Sequence, residues 1–476
     1  MTLSTPIIWV LLPNVVAVVC LLFPKRRIFG IIVTAVSVFG LALLAALFPE
    51  DLTLSVGPLS LVFEESLMIL GRQITLAYDI FPFIAFIFAM TGLWGLTSNI
   101  PGVPGTFRPI SLVITASLTA ALSVQPFLYA ALLIETAVLV SIPMLNTAGK
   151  ESYRGIFRYL SFMTIAMPFI LIAGWLLTGV VILPPESPLV GQTVAVLGLG
   201  FALWLAVFPF HSWVTMISEH NHPTVVSFLL FILPTTILVF GLNFFNRYAF
   251  LRTSAEIFNV IRVIGTVMIV LGGIWTAVQD HLKRAFGFST LVETGFSLLA
   301  LGLSAEGGLN WMLMLFPARA LGYWLWGYTL ARFEHHCGSL EMNAIQGFGR
   351  KFPLLSTGLI LAQLSVAGLP LLASFPIKIA LLTQTYSIGQ GLGVWSFIGS
   401  FGLFLFTIRL LLNLTMPINR SLQDDAESVN PQLVPEKTSE YLPVLLIVLG
   451  LLLIGLFPDT ILSGITDILT AFPQLQ

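Results

Sequence analysis

Charge is scarce in this sequence. Asp, Glu, Lys and Arg together supply 9% of 476 residues, against 57% hydrophobic. A water-exposed domain carries about a quarter charged residues, so this chain cannot be wetted over its whole surface. High hydrophobicity also excludes intrinsic disorder, which needs low hydrophobicity and high net charge. Cysteine is nearly absent, with two residues. Cys20 falls in the first apolar run and Cys337 in a polar loop, so a disulfide scaffold is not expected. The net charge of −1 leaves no basic footprint for nucleic acid. No cleavable leader is visible, because Lys25, Arg26 and Arg27 follow the first apolar run instead of preceding it. Phosphate-binding loops, nucleotide fingerprints, haem motifs and catalytic triads are missing, so no cofactor and no catalytic chemistry are expected in this chain. His211, His220 and His222 have no cysteine or carboxylate at ligand spacing, so no metal is expected either.

Long apolar stretches are abundant instead. A helix needs about 20 apolar residues to cross the hydrocarbon. Fourteen such runs are found, at 4–23, 28–48, 80–99, 108–123, 126–146, 156–179, 193–221, 223–245, 259–279, 287–304, 309–331, 353–388, 392–414 and 440–458. They are solidly apolar, unlike the alternating strands of a membrane barrel. The expected fold is therefore an all-α polytopic membrane protein of about 14 transmembrane helices. With the N-terminus outside, inside loops hold Lys25, Arg26, Arg27, Arg108, Lys150, Arg154, Lys283, Arg284, Arg332, Arg350, Lys351, Arg420 and Lys437. Outside loops hold only Arg72, Arg247 and Arg252. The positive-inside rule then places both termini on the non-cytoplasmic side.

Spans seven and twelve are too long for plain helices and carry breakers. Pro209 interrupts the first; Gly368, Pro370 and Pro376 interrupt the second. They lie five spans apart, and an odd offset means opposite topology. Spans four to eight and nine to thirteen thus read as an inverted repeat, the arrangement in which transporters keep unwound backbone at mid-membrane. The expected division is 1–107 for the first three spans, 108–245 and 246–414 for the two repeat units, and 415–476 for an inside loop, the last span and a short tail.

Ionisable groups within spans cost about 2.5–3.5 kcal/mol or more at the membrane centre and are functional candidates by default. They are Glu135, Arg158, Glu293, Arg319, Lys378 and Arg409. Positions deep within their spans favour an ion path for Glu135 and Lys378, whereas snorkelling suits Arg158 and Arg409, closer to span ends, at least as well. His211, at the break, is expected to bond freed carbonyls. His335, His336 and Cys337 read as a solvated loop.

Several stretches in this order resemble the antiporter-like membrane subunits of respiratory complex I, a family shared with multi-subunit cation/proton antiporters and membrane-bound hydrogenases. They are Leu76-Ala77-Tyr78-Asp79, Glu135, Phe208-Pro209-Phe210-His211-Ser212-Trp213 with Pro223-Thr224-Val225-Val226-Ser227, Asp280-His281-Leu282-Lys283-Arg284, Gly368-Leu369-Pro370 through Lys378, and Gly455-Leu456-Phe457-Pro458. The resemblance implies a path of alternating lysines and acids along the membrane midplane. It also implies neighbouring antiporter-like and small membrane subunits, protons or monovalent cations as cargo, and a bacterial inner or thylakoid membrane. Glu135 and Lys378 match that path. The lysine of span seven falls at Trp204 and the central lysine of span eight at Pro234. Where the family carries histidines on spans ten and eleven, this chain has Glu293 and Arg319. Neither Trp204 nor Pro234 can carry a proton, so two relay positions are expected to be silent. Glu293 and Arg319 are expected to form a buried ion pair. Glu135, lacking a lysine, is expected to be held by hydrogen bonds or by Arg158. The resulting expectation is a divergent antiporter-like subunit of a complex I-type NAD(P)H:quinone oxidoreductase, with a non-pumping structural subunit or a subunit of a cation/proton antiporter as alternatives.

Overall fold

A computed structural model describes residues 2–23, 27–48, 53–56, 59–69, 71–145, 153–180, 187–417 and 436–475. Lys25, Arg26, Lys150 and Arg420, four of the expected inside cations, lie outside the described residues. The chain is mostly helical. In order, the α-helices are α1 (Leu12–Leu22), α2 (Arg27–Ala46), α3 (Phe81–Leu96), α4 (Phe107–Ser123), α5 (Ala130–Leu145), α6 (Tyr153–Val180) and α7 (Pro188–Trp204). There follow α8 (Ser212–His220), α9 (Pro223–Arg247), α10 (Ala249–Thr253), α11 (Ala255–Val278), α12 (Leu282–Gly302) and α13 (Gly308–Cys337). The chain closes with α14 (Phe348–Lys351), α15 (Pro353–Ala367), α16 (Phe375–Ile388), α17 (Gln390–Thr415), α18 (Thr438–Leu456) and α19 (Pro458–Thr466). Among the described residues, eight helices are long and apolar enough to cross a membrane.

A helix that is apolar all round has no solvent face and is stable only when protein or lipid surrounds it. Both environments occur here. Helix α9 is buried along nearly its whole length and α12 almost as completely, so these two form the bundle's axis. Helices α2, α6 and α11 bury only one side and present Ile28, Trp175, Val260 and similar residues outward. Lipid tails are as apolar as these side chains, so helix association relies on close packing of small residues. The contact of α11 with α12 and α17 shows this directly. A Cβ on Gly273 would meet the Gly399 carbonyl oxygen at 1.8 Å, and one on Gly265 would meet that of Gly295 at 2.7 Å.

Two apolar stretches split where the proline and glycine content requires. Helix α7 stops at Trp204, and the chain runs irregularly through Ala206, whose φ is 54°, before α8 begins. Helix α15 stops at Ala367, Gly368 takes φ 81°, and Leu371 takes φ 75° before α16 begins. Only glycine adopts such angles freely, so Ala206 and Leu371 mark matched irregularities, one in each break.

Three expectations require correction. The described fold is not purely α-helical: β1 (Thr2–Ser4), β3 (Leu59–Glu64) and β2 (Thr53–Val56) form one three-stranded sheet. A second joins β4 (Ser66–Ile69), β5 (Arg72–Thr75) and β6 (Val124–Gln125). The β4–β5 hairpin turns at Gly71, with φ 74°. A period-two segment between apolar runs is invisible to a search for 20-residue stretches. His335, His336 and Cys337 are not loop residues, because α13 continues through them and ends at Gly338, φ 72°. Lys283 and Arg332 are not solvated loop cations. Lys283 is 3% exposed and its ammonium lies 2.6 Å from the Glu334 carboxylate, and Arg332 pairs with Glu440 at 3.0 Å.

Candidate functional site: a carboxylate between two cations

The break between α15 and α16 shapes the site. Its terminal turn leaves backbone carbonyls without helical partners. The Lys378 ammonium, on the first turn of α16, donates to one of them, the Val366 oxygen, and also to the Glu293 carboxylate of α12. Gly368 makes room for the lysine stem: a Cβ there would stand 3.2 Å from Lys378 Cδ. The ammonium also lies 4.6 Å from the centre of the Phe296 ring, a favourable cation–π distance. From α13, Arg319 Nε stands 3.6 Å from the other Glu293 carboxylate oxygen. Arg319 Nη2 donates to the Glu293 main-chain oxygen at 2.7 Å and to the Ser297 hydroxyl. Glu293 and Arg319 are each 2% exposed, and Lys378 3%.

Three helices thus bring one carboxylate and two cations into a space sealed from solvent. A guanidinium does not release its proton. Glu293 and Arg319 therefore sum to zero when both are ionised, and Lys378 is the group whose protonation changes the site's net charge between 0 and +1. The expected Glu293–Arg319 pair is present as an ion contact at 3.6 Å and not as the expected hydrogen bond between carboxylate and guanidinium, which bonds the Glu293 main-chain oxygen instead; Lys378 joins it. Chain distance hides that third member, since it lies 85 residues from Glu293.

Glu135, the other buried acid singled out by the sequence, has fewer partners. Glu135 on α5 is 7% exposed and accepts a 2.6 Å hydrogen bond from the Thr164 hydroxyl of α6. Its other carboxylate oxygen is buried without a hydrogen-bond partner, and no ion pair involves it among the described residues. Arg158 is exposed on α6, so the suggested pairing with Glu135 does not form. Trp204 is fully buried and donates from its indole to the Met163 carbonyl at 3.2 Å. Pro234 is buried inside α9. His211 keeps a backbone hydrogen bond at Pro209 inside the break, as expected, although its Nδ1 has no partner; its ring stacks on Phe208 and on Trp275, with centroids 5.3 and 5.0 Å away. Arg409 does not snorkel into solvent alone. It reaches the frayed end of α11, donating to the Ala277 carbonyl at 2.5 Å and pairing with Asp280 at 2.7 Å.

Sequence reading missed Thr164, Ser297 and the buried Gln363 on α15, whose side-chain amide has no hydrogen-bond partner among the described residues. The Thr235 and Thr236 hydroxyls beside Pro234 are in the same condition. Uncharged polar residues inside apolar runs were the available signal, because a buried polar group needs a partner or a wet path.

The bundle, its two interrupted helices and its buried charge cluster define a polytopic helical membrane protein built around intramembrane ionisable groups. Residues 144–405, more than half of the chain, match the family described as NADH:quinone oxidoreductase/Mrp antiporter, transmembrane, and the chain belongs to that family. NAD(P)H-quinone oxidoreductase subunit 2 of Gloeothece citriformis is 26% identical over 293 residues, covering 58% of this chain and 54% of that protein. The chain spans about half the length of such curated relatives. Among solved structures, the Mrp complex from Dietzia sp. contains a chain with TM-score 0.80 and 16% identity, with 98% of this chain and 97% of that one covered. Respiratory complex I from Thermus thermophilus contains one with TM-score 0.75 and 18% identity, covering 98% and 99%. At such identities the likeness is one of fold.

Proposed function

We propose that this chain is a divergent antiporter-like membrane subunit of a complex I-type NAD(P)H:quinone oxidoreductase or a related complex, and that it contributes to proton or cation translocation through its second half alone. The observation that carries this reading is the Lys378 ammonium held between Glu293 and a carbonyl freed by the α15–α16 break. Lys378 is the exchanging group. Glu293 is the counter-charge that faces it, and Arg319 holds the carboxylate in place. In the first half the relay is lost at Trp204 and Pro234, and Glu135 has only Thr164. Arg158 and His211 take no part in the path.

The wider architecture belongs to the same reading. The fourteen apolar runs cross the membrane, spans four to eight and nine to thirteen form an inverted repeat, and the units divide at 107, 245 and 414. The matched non-glycine irregularities at Ala206 and Leu371 support the repeat. Both termini face the non-cytoplasmic side of a bacterial inner or thylakoid membrane, and the neighbours are other antiporter-like and small membrane subunits. The reading assigns no cofactor and no metal to this chain.

Lys378→Met is the test. In the assembled complex, reconstituted in vesicles, it should abolish translocation through this subunit while assembly persists. Unchanged translocation would favour a structural role, which the fixed Arg319–Glu293 contact also suits. Copurification in mild detergent identifies the host: partners with iron–sulfur or flavin motifs mean a redox pump, and small membrane proteins alone mean a cation antiporter.

A further inference from the structure

Between α7, α9 and α11 runs a crevice of ≈ 440 Å³, lined by Phe201, Leu205, Ile237, Phe244, Ile261 and Leu298 among other apolar residues. It extends along α9 from Ile237 to Phe245, about 12 Å at 1.5 Å per residue. That is most of the ~15 Å half-thickness of a bilayer's hydrocarbon core. Its deep end reaches Leu205 and Val207, inside the break that follows α7. Its mouth carries Glu256 and adjoins a second, more polar pocket of ≈ 400 Å³ that contains Arg252, Asn310 and Gln474. Phe245 and Leu301 line both spaces, which therefore lie side by side.

The charges at the mouth are opposite and four residues apart. The Arg252 guanidinium donates only to neutral oxygens, those of Phe245, Asn246 and Gln474. Glu256 is exposed on the first turn of α11. Among the described residues neither forms an ion pair. An apolar trough of this length accommodates a hydrocarbon chain, and two opposite charges without an ion-pair partner near its end suit a headgroup with a phosphate and an ammonium.

We propose that this crevice binds one phosphatidylethanolamine molecule, with an acyl chain between α7, α9 and α11, the phosphate on Arg252 and the ammonium on Glu256. The chain's end then packs against the irregular segment at Leu205, filling the side of the break that faces lipid. Arg252 supplies most of the headgroup affinity, since hydrogen bonds to a charged group are the stronger kind. Glu256 supplies the choice of headgroup, because it repels an anionic lipid lacking the amine.

Native mass spectrometry of the full chain in detergent tests this, titrating phosphatidylethanolamine and phosphatidylglycerol of identical acyl chains. The unmodified chain should hold one phosphatidylethanolamine in preference to phosphatidylglycerol. Arg252→Ala should weaken both about tenfold. Glu256→Gln should erase the preference, an effect of about threefold. Gly198→Leu should expel both lipids, since Gly198 lines the crevice and its Cβ would enter open space. Equal binding of the two lipids by the unmodified chain would overturn the assignment. So would undiminished binding by Arg252→Ala, a mouth substitution that leaves the bundle core intact.

Discussion

The two halves of this molecule bury acids at comparable depth and treat them differently. Glu135 sits between α5 and α6 with a single hydroxyl donor, and its second oxygen is unmatched. Glu293 sits between α12, α13 and α16 with an ammonium, a guanidinium and ring contacts around it. Each half contains a broken helix, so a break alone does not decide the difference. Side chains do. Trp204 fills its position by packing and by one hydrogen bond to Met163. Lys378 spans its break and ties it to the opposite helix.

Substitutions that disturb the second half should have the largest effects. Glu293→Gln leaves two cations buried without a carboxylate, and removing one side of a buried ion pair costs about 3–5 kcal/mol. Its thermal unfolding midpoint should fall well below that of Lys378→Met, which retains a neutral Glu293–Arg319 pair. Equal losses in the two variants would break the charge count on which the comparison rests. Next comes packing under the second half. Gly273→Ala would drive a Cβ into the Gly399 carbonyl, and overpacking of this kind costs about 1–3 kcal/mol. Gly198→Ala, whose Cβ meets open space, should leave the midpoint unchanged.

Smaller still is an effect at the rim. Burial is the main influence lowering the His281 pKa from its ordinary 6.5, and the nearby Lys283 and Arg284 add to it against Glu219 and Glu341. The folded state disfavours the charged ring, so the unfolded chain takes the proton first. His281 therefore contributes stability that is complete above about pH 6.5 and declines as pH falls toward the lowered folded value. His281→Gln should flatten the midpoint's dependence on pH in that window. An unchanged acid slope would place the sensitivity elsewhere.

Much of this was legible in the chain and some was not. Solid apolar runs fix helices without ambiguity, and glycine with proline fixes where α15 must stop, because backbone chemistry there is local. The Glu293–Arg319 pair was legible through the resemblance, because opposite charges stand where the family carries histidines on two successive spans. Lys378 joining them was not: its reach depends on how α16 crosses α12, which no local pattern encodes. Lys283 and Arg332 were placed in loops because they flank apolar runs, yet Glu334 and Glu440 draw them into the bundle. The small sheets escaped because their short strands lie between runs long enough to dominate any reading.

The central claim is that the halves are unequal in translocation, and a paired flux measurement tests it most directly. Glu135→Gln and Lys378→Met would be introduced separately into the assembled complex, reconstituted in vesicles, and ion movement followed under identical driving force. The account predicts near-normal flux for Glu135→Gln and loss of this subunit's share for Lys378→Met. Near-complete loss in Glu135→Gln, with the complex still assembled, would contradict it.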